Sequence, residues 1–376
     1  MKNINEAYLK DKNVIIRCDL NVPIKDNKIL DDTRIVKSLK TINYILKYAN
    51  KIIILSHLGR IKNEKDKKNN SLFIVKERLE KLLDKNIGFY DYTCKTKKEL
   101  NNKIVLFENT RFFDLDNKKE SNCSKELSKY FSSFGDIFIN DAFGTTHRKN
   151  ASNYGITKYL PSYKGYLIME EEQKLKELLY NVNKPFIVIL GGKKVEDKIG
   201  LINNLIKRVD KFIITGAMSF TFLKAQGYNV GRSIVDESNI RYAKRLLKKY
   251  KDKIILIEDC IVSNNSQSIK ELRNINEIKD DEIGFDVGPK TIDIYKEILK
   301  DANTIFFNGP LGLFENKEFE TGTKELINYL KTLNSNIIVG GGDTINAAKK
   351  YGLKNAYLST GGGATLQYLE KGKLKF

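Results

Sequence analysis

Nine short runs of β-branched and aromatic residues, with helix-period segments between them, constrain the fold of this chain more than any other feature. In the first half they are VIIRC from Val14, IIIL from Ile52, KIVLF from Lys103 and DIFIN from Asp136. The second half repeats the theme with FIVIL from Phe186, FIIT from Phe212, IILI from Ile254, TIFF from Thr304 and NIIVG from Asn336. Near-continuous apolar runs of this length belong to strands buried on both faces, as in a parallel sheet covered by helices. Helical periods fill the intervals at Arg34 to Tyr48, Leu72 to Lys85, Asp197 to Val209, Ile240 to Tyr250, Thr291 to Lys300 and Thr323 to Leu333. Alternating strand and helix predict an α/β chain of two doubly wound parallel-sheet domains.

At 376 residues the chain is too long for one ordinary core, which also points to two domains. The segment from Gly165 to Pro185 holds one long amphipathic helix, and the domain change is expected inside it. The boundaries read as 1–170 and 171–359, with the tail 360–376 expected to pack back on the first domain. The first residues lack a signal-like apolar stretch and no run of 18 apolar residues occurs, so a cytoplasmic location is expected. Cys18, Cys94, Cys123 and Cys260 are scattered without CxxC spacing, suggesting free thiols rather than a zinc site or disulfides.

The formal charge is +19, but the lysines lie along helical faces rather than in one aromatic-interleaved stripe, so no specific nucleic-acid partner is expected. Arginine is scarce: 11 residues among 66 Lys+Arg. Five of the six in the first 150 residues, Arg17, Arg34, Arg60, Arg111 and Arg148, sit in short polar motifs at the ends of apolar runs. The guanidinium fork suits bidentate carboxylate or phosphate recognition, which a lysine point charge does not replace. The chain's two histidines, His57 in SHLGR and His147 in GTTHR, each lie beside one of these arginines. Arg17, inside a strand, reads as a buried structural residue with Asp19 as a possible partner; Asn21 reads as a ligand contact. Asp32 or Thr33 is expected to cap the helix that Arg34 opens, and Glu108 to orient Arg111.

In the second half, VGGGDT ending at Thr344 and STGGGAT ending at Thr365 each follow a strand and precede a helix. Backbone amides at a helix N-terminus bind phosphate, and glycine permits close approach. Asp343 adds the carboxylate that a phosphate-bound Mg²⁺ takes. GGKKVEDK places Lys193, Lys194 and Lys198 at a helix start, where cations oppose the helix dipole unless an anion binds. GxxxxGK[ST], GxGxxG and HRD are all absent, which disfavours a Walker NTPase, a dinucleotide dehydrogenase and a protein kinase.

These residues bring a family into view. RCDLNVP, DDTRI, SHLGR, FENTRF, DAFGTTHR, LGGKKVEDKIGLI, FLKAQG, FNGPLGLFE, GGGDT and STGGGAT occur in the order found in phosphoglycerate kinases, which the chain resembles over essentially its whole length. The resemblance implies two Rossmann-like domains joined by a long helix with a cleft between them, a monomer, and hinge closure during turnover. It implies transfer of a phosphoryl group between 1,3-bisphosphoglycerate and MgADP, giving 3-phosphoglycerate and ATP. By position it assigns the phosphoglycerate site to Asp19, Asn21, Arg34, His57, Leu58, Gly59, Arg60, Arg111 and Arg148. It assigns the nucleotide site to Lys198, Asn308, Glu315, Gly341, Gly342, Asp343 and Thr344, with Asp343 serving Mg²⁺ and Glu315 the ribose. Arg34 and Lys194 would flank the transferring group.

Some residues depart from the family pattern: Ile61, Asn150, Lys193, Ala217 and Glu258, together with Cys18, Leu20, Thr110 and Thr146, which read as packing changes. The stretch Ser263 to Asp281 is short against the pattern. Two other readings are a two-lobed binding protein without turnover and a nucleic-acid-binding protein resting on charge alone.

Overall fold

The computed structural model describes residues 1–264 and 270–375. They form two compact units, Met1–Gln173 together with Leu374 and Lys375, and Lys174–Lys373. The division falls inside the helix Tyr166–Tyr180.

The first unit is built on seven strands, ordered Lys2–Asn3, Ser162–Lys164, Ile137–Asn140, Asn13–Arg17, Lys51–Leu55, Ile104–Phe107 and Gly88–Tyr90. All neighbours run parallel. Alternation along each strand sends successive side chains to opposite faces. Val14, Ile16, Ile52, Ile54, Ile104 and Leu106 enter one core, while Ile15, Ile53, Leu55, Val105 and Phe107 enter the other. Both faces are therefore apolar, and helices must cover both. The helices Thr33–Tyr48 and Phe73–Leu83 supply Ile35, Ile42, Ile45, Val75 and Leu79 to the first core. Lys125–Ser132 supplies Leu127 and Phe131 to the second.

The second unit has six parallel strands, ordered Ile254–Ile255, Lys211–Ile214, Phe186–Leu190, Thr304–Asn308, Asn336–Val339 and Ala356–Leu358. A separate antiparallel sheet orders Glu271–Asn274, Asp259–Ser263 and Ile283–Val287. The strand order reverses beside Asn13–Arg17 in one sheet and beside Phe186–Leu190 in the other. Ligands of open parallel sheets bind outside the carboxyl ends of the strands at such points.

Two expectations change. The helix Gly363–Lys371, expected on the first unit with the rest of the tail, packs on Ile199–Leu205 of the second, where Asn204 Nδ2 donates to Leu369 O. Its buried face, Ala364, Thr365, Tyr368 and Leu369, fixes that choice, and only the residues after Lys373 join the first unit. The antiparallel sheet was not anticipated, and residues 265–269 of the short stretch lie outside the described part. Among the described residues no helix is long and apolar enough to cross a membrane.

Candidate active site

In the first unit, the residues expected to handle an anion follow the carboxyl ends of the strands. Arg17 is 1% exposed. Its Nε donates to Ser152 Oγ at 2.9 Å, its Nη1 donates to Cys18 O, and its Nη2 lies 3.0 Å from His57 Nδ1. Ser152 Oγ in turn donates to the buried Glu120 at 2.5 Å. Arg17 is thus structural, as expected, but its acidic counterpart is Glu120 through Ser152. Asp19 instead pairs with Arg34 Nη1 at 3.2 Å, and Arg34 Nη1 also donates to Asn21 O at 3.0 Å.

Asn21 Oδ1 accepts from Gly59 N at 2.8 Å, which ties the first strand's loop to the second's. Gly59 has φ +59°, and a Cβ there would meet Asn70 Oδ1 at 1.9 Å, so only glycine fits the turn. Leu58 is buried and its carbonyl accepts from Asn109 Nδ2 at 2.7 Å. Arg111 Nη1 donates to Gly59 O, and its backbone N–H donates to Asn109 Oδ1 at 3.0 Å. Glu108 does not orient Arg111: its carboxylate is taken by Ser71 Oγ, Leu72 N and Asn109 N. Nor do Asp32 or Thr33 provide a side-chain cap for the helix of Arg34. Asp31 accepts from Thr33 N, while Asp32 pairs with Arg78 at 2.6 Å.

Arg60 is exposed and, among the described residues, makes no hydrogen bond or ion pair. Arg148, also exposed, donates from Nε to His147 Nε2 at 2.9 Å. Burial, then the charges of Arg17, Arg111, Arg34 and Arg148, push the His57 pKa well below its ordinary value. Burial and Arg148 lower Arg111 in the same sense, and burial, Arg148 and Lys375 bring His147 to about 4. Four guanidinium groups thus act on one imidazole, and Asp19 is paired with one of them, Arg34. A cluster of that sign is compensated by an anion carrying more than one charge.

In the second unit, the loops after Phe186–Leu190, Lys211–Ile214, Thr304–Asn308 and Asn336–Val339 come together. Gly309 has φ +102°, and a Cβ on it would fall 2.3 Å from the Gly191 carbonyl carbon. Lys198 Nζ donates to Asn308 Oδ1, and Asn308 Nδ2 donates to Gly340 O at 2.6 Å. Thr344 Oγ1 accepts from Gly309 N at 2.6 Å. Gly341, at φ +93°, leads into the helix Gly342–Lys350, whose first turn carries Asp343. Burial lowers Lys198 to about 8, while the charges of Asp197 and Asp343 act the other way.

Asp343 and Glu315 are exposed and make no hydrogen bond or ion pair through their side chains among the described residues. Lys193 and Lys194 are also exposed, with Lys194 close enough to influence the Asp236 carboxylate. Ala217 heads the helix Met218–Gln226. Sequence reasoning missed Glu120, Ser152 and Asn70, which lie in no motif and act only through the fold. Cys18 and Leu20 are fully buried and Ile61 nearly so.

A parallel α/β chain with an arginine cluster on one sheet edge and a glycine, lysine and aspartate loop set on another has the parts of a phosphotransferase. The family model for phosphoglycerate kinase matches residues 4–373. The phosphoglycerate kinase of Lactobacillus delbrueckii subsp. bulgaricus is 45% identical over 386 residues, covering 98% of this chain and 96% of that one. That of Enterococcus faecalis is 44% identical over 381 residues, with the same coverage. The structure of phosphoglycerate kinase from Coxiella burnetii superposes with a TM-score of 0.85 at 37% identity, covering 99% of this chain and 96% of its own. That from Pyrococcus horikoshii OT3 gives 0.84 at 28% identity, covering 100% and 97%. The chain belongs to the phosphoglycerate kinase family. Its activity is the phosphotransfer of glycolysis between 1,3-bisphosphoglycerate and ADP.

Proposed function

We propose that the arginine cluster of the first unit holds the phosphoglycerate and that the glycine-rich loops of the second hold the nucleotide. The arginine cluster around His57, with Arg17 Nη2 at 3.0 Å from its Nδ1 and the charges of Arg34, Arg111 and Arg148 acting on it, carries this reading. Arg34, Arg60, Arg111 and Arg148 bind the substrate's phosphate and carboxylate, with Asp19, Asn21 and His57 positioning them. Arg17 acts from within the fold. Lys198, Asn308 and the turn Gly341–Thr344 take the nucleotide phosphates, and Glu315 takes the ribose.

Mg²⁺ fits this arrangement as a passenger of the nucleotide. Among the described residues no group of three or more His, Cys, Asp or Glu can hold a metal by itself. Asp343 makes no ion pair among the described residues and lies in the first turn of the helix Gly342–Lys350, where the proposed nucleotide phosphates would sit, and Mg²⁺ usually takes one or two carboxylates plus phosphate oxygens. When bound, Mg²⁺ neutralises phosphate charge.

The chain's own residues need form no covalent intermediate. The acyl-phosphate donor and the ADP acceptor react directly and in line, so the protein supplies alignment and charge stabilisation. Arg34 and Lys194 stabilise the phosphoryl group in transit, after a hinge closure that excludes water and limits hydrolysis of the acyl phosphate. The enzyme works as a cytoplasmic monomer. ATP formation from 1,3-bisphosphoglycerate and MgADP tests the assignment: Arg34→Ala and Lys194→Ala should each lower kcat by about 10²–10³-fold, the range for removing one donor to developing charge. Variants that keep wild-type kcat and change KM alone would remove both residues from the transfer step.

A further inference from the structure

Away from the nucleotide loops, the second unit holds a cavity of about 330 Å³ between the antiparallel sheet and the helices Pro289–Leu299 and Thr321–Leu330. That size lies at the small end of ligand pockets, which run to about 300–1,000 Å³. Ile261, Val287 and Ile292 give it apolar walls, and the carboxyl of Asp286 is set among them.

The charges around it are unevenly matched. Lys270 pairs with Glu318 at 3.3 Å and Lys296 with Glu325 at 3.4 Å, so both lining lysines are already engaged. Asp286 is 4% exposed, and its oxygens accept from Val287 N at 2.9 Å and Gly322 N at 2.7 Å. A carboxylate offers about four acceptor positions, so roughly half of its capacity is unused. Among the described residues no cation forms an ion pair with Asp286 or with the exposed Asp293. Burial raises Asp286 to about 7, with Lys270 acting weakly in the opposite sense.

Asp286 also has a second neighbour. A Cβ on Gly312 would fall 2.2 Å from its Oδ1, and one on Gly322 would fall 2.4 Å from the same atom. The cavity therefore backs onto the loop that leads to Glu315 without belonging to it.

We propose that this cavity binds a small organic ammonium ion, with its apolar body against Val287 and Ile292 and its N–H donors on Asp286. An anion would face an unpaired buried carboxylate. A neutral alcohol would leave that carboxylate without a countercharge.

The test titrates n-butylammonium, n-butyrate and n-butanol into the full-length protein by saturation-transfer NMR, up to about 50 mM to cover millimolar Kd values. At pH 8, n-butylammonium should bind saturably and at least about tenfold more tightly than the other two, the factor for one charge-assisted hydrogen bond. Affinity should fall toward pH 6 as Asp286 takes up a proton, with Lys270, Asp293, Lys296, Glu318 and Glu325 the other charged groups that face it. Ile292→Trp, which fills the cavity, should abolish binding, and Asp286→Asn should weaken it about tenfold. Absence of saturable binding, equal binding of n-butyrate or n-butanol, or undiminished binding in a folded Ile292→Trp protein would each overturn the proposal. The ranking of the three probes on the wild-type protein decides the matter even where a variant fails to fold.

Discussion

Lys198 offers a direct test of the nucleotide half-site, because its charge state should change within an accessible pH range. Its ammonium donates to Asn308 Oδ1, and burial brings its pKa to about 8 against the opposing pull of Asp197 and Asp343. At pH 7 it is then charged in about nine molecules of ten, and at pH 9 in about one of ten. If bound phosphate requires the charged form, binding raises the pKa and the apparent Kd for MgADP should rise about tenfold between pH 7 and pH 9. Lys198→Met should be weaker at pH 7 by about 1.5–3 kcal/mol, the range for a hydrogen bond to a charged group, or roughly 10- to 150-fold. It should also lack the slope, so the gap between the two proteins narrows about tenfold by pH 9.

Isothermal titration from pH 6.5 to 9 reads both quantities. The ligand-free protein gives an independent check. Because the folded pKa lies below the ordinary lysine value of 10.5, the folded state loses this proton first. Wild-type stability relative to Lys198→Met should therefore rise as pH climbs from about 8 through 10.5. A flat wild-type Kd across pH 7–9, or a Lys198→Met protein with the same slope, would refute the assignment of Lys198 to phosphate.

Three further outcomes follow from the same geometry. Arg17→Met leaves Glu120 buried without its cation and should cost about 3–5 kcal/mol in urea unfolding, while Arg17→Met/Glu120→Gln should recover much of that loss; an additive double variant would contradict the coupling through Ser152. With only two histidines, imidazole NMR is unambiguous: His147, brought to about 4, should stay neutral from pH 8 down to about 5.5, and burial with the arginine charges should make His57 titrate well below an ordinary imidazole; a midpoint near 6.5 for either would show that the positive cluster is misread. Gly309→Ala places a Cβ at φ +102° within 2.3 Å of the Gly191 carbonyl carbon and must displace that backbone, so it should lower Tm and weaken ADP binding together; an unchanged ADP Kd would separate this loop packing from nucleotide recognition.

The strand runs were legible because burial on both sheet faces removes polar residues from them. Phe186–Leu190 and Ile137–Asn140 are buried at every position. Helices with one apolar stripe, such as Thr33–Tyr48, were legible for the complementary reason. Met218–Gln226 was not, because seven of its nine residues are buried and no polar face marks its period. The arginines proposed for the first half-site were conspicuous in the sequence since they sit in motifs at strand ends. Their partners could not. Ser152 contacts Arg17 across 135 positions of chain and relays it to Glu120, 103 positions from Arg17, and nothing local in either segment marks that buried relay. Asp31 in place of Asp32 at the helix start shows the same limit on a smaller scale: one residue of offset decides which carboxylate caps and which pairs with Arg78.

The division of cations between the two half-sites follows from what each ligand presents. Phosphoglycerate carries a carboxylate and a phosphate on a short skeleton, so its recognition needs several directed donors at fixed angles. In the proposed assignment the guanidinium fork would supply those at Arg34, Arg60, Arg111 and Arg148, and His57, with its pKa held well below the ordinary value, would add no further repulsion to their cluster. A nucleotide brings a longer phosphate chain whose charge is shared with a metal, backbone amides and a helix N-terminus, for which a movable point charge is sufficient. In the same assignment Lys194 and Lys198 would fill that role, in a chain where lysine is already the common cation. On that assignment the arginines stand where geometry, and not charge alone, would discriminate. Lysine in place of Arg34 should accordingly preserve the cluster's charge while losing most of the activity, whereas arginine in place of Lys194 should retain more of it. A comparison of kcat in the two exchanges measures that asymmetry, and equal losses would show that charge rather than fork geometry governs both half-sites.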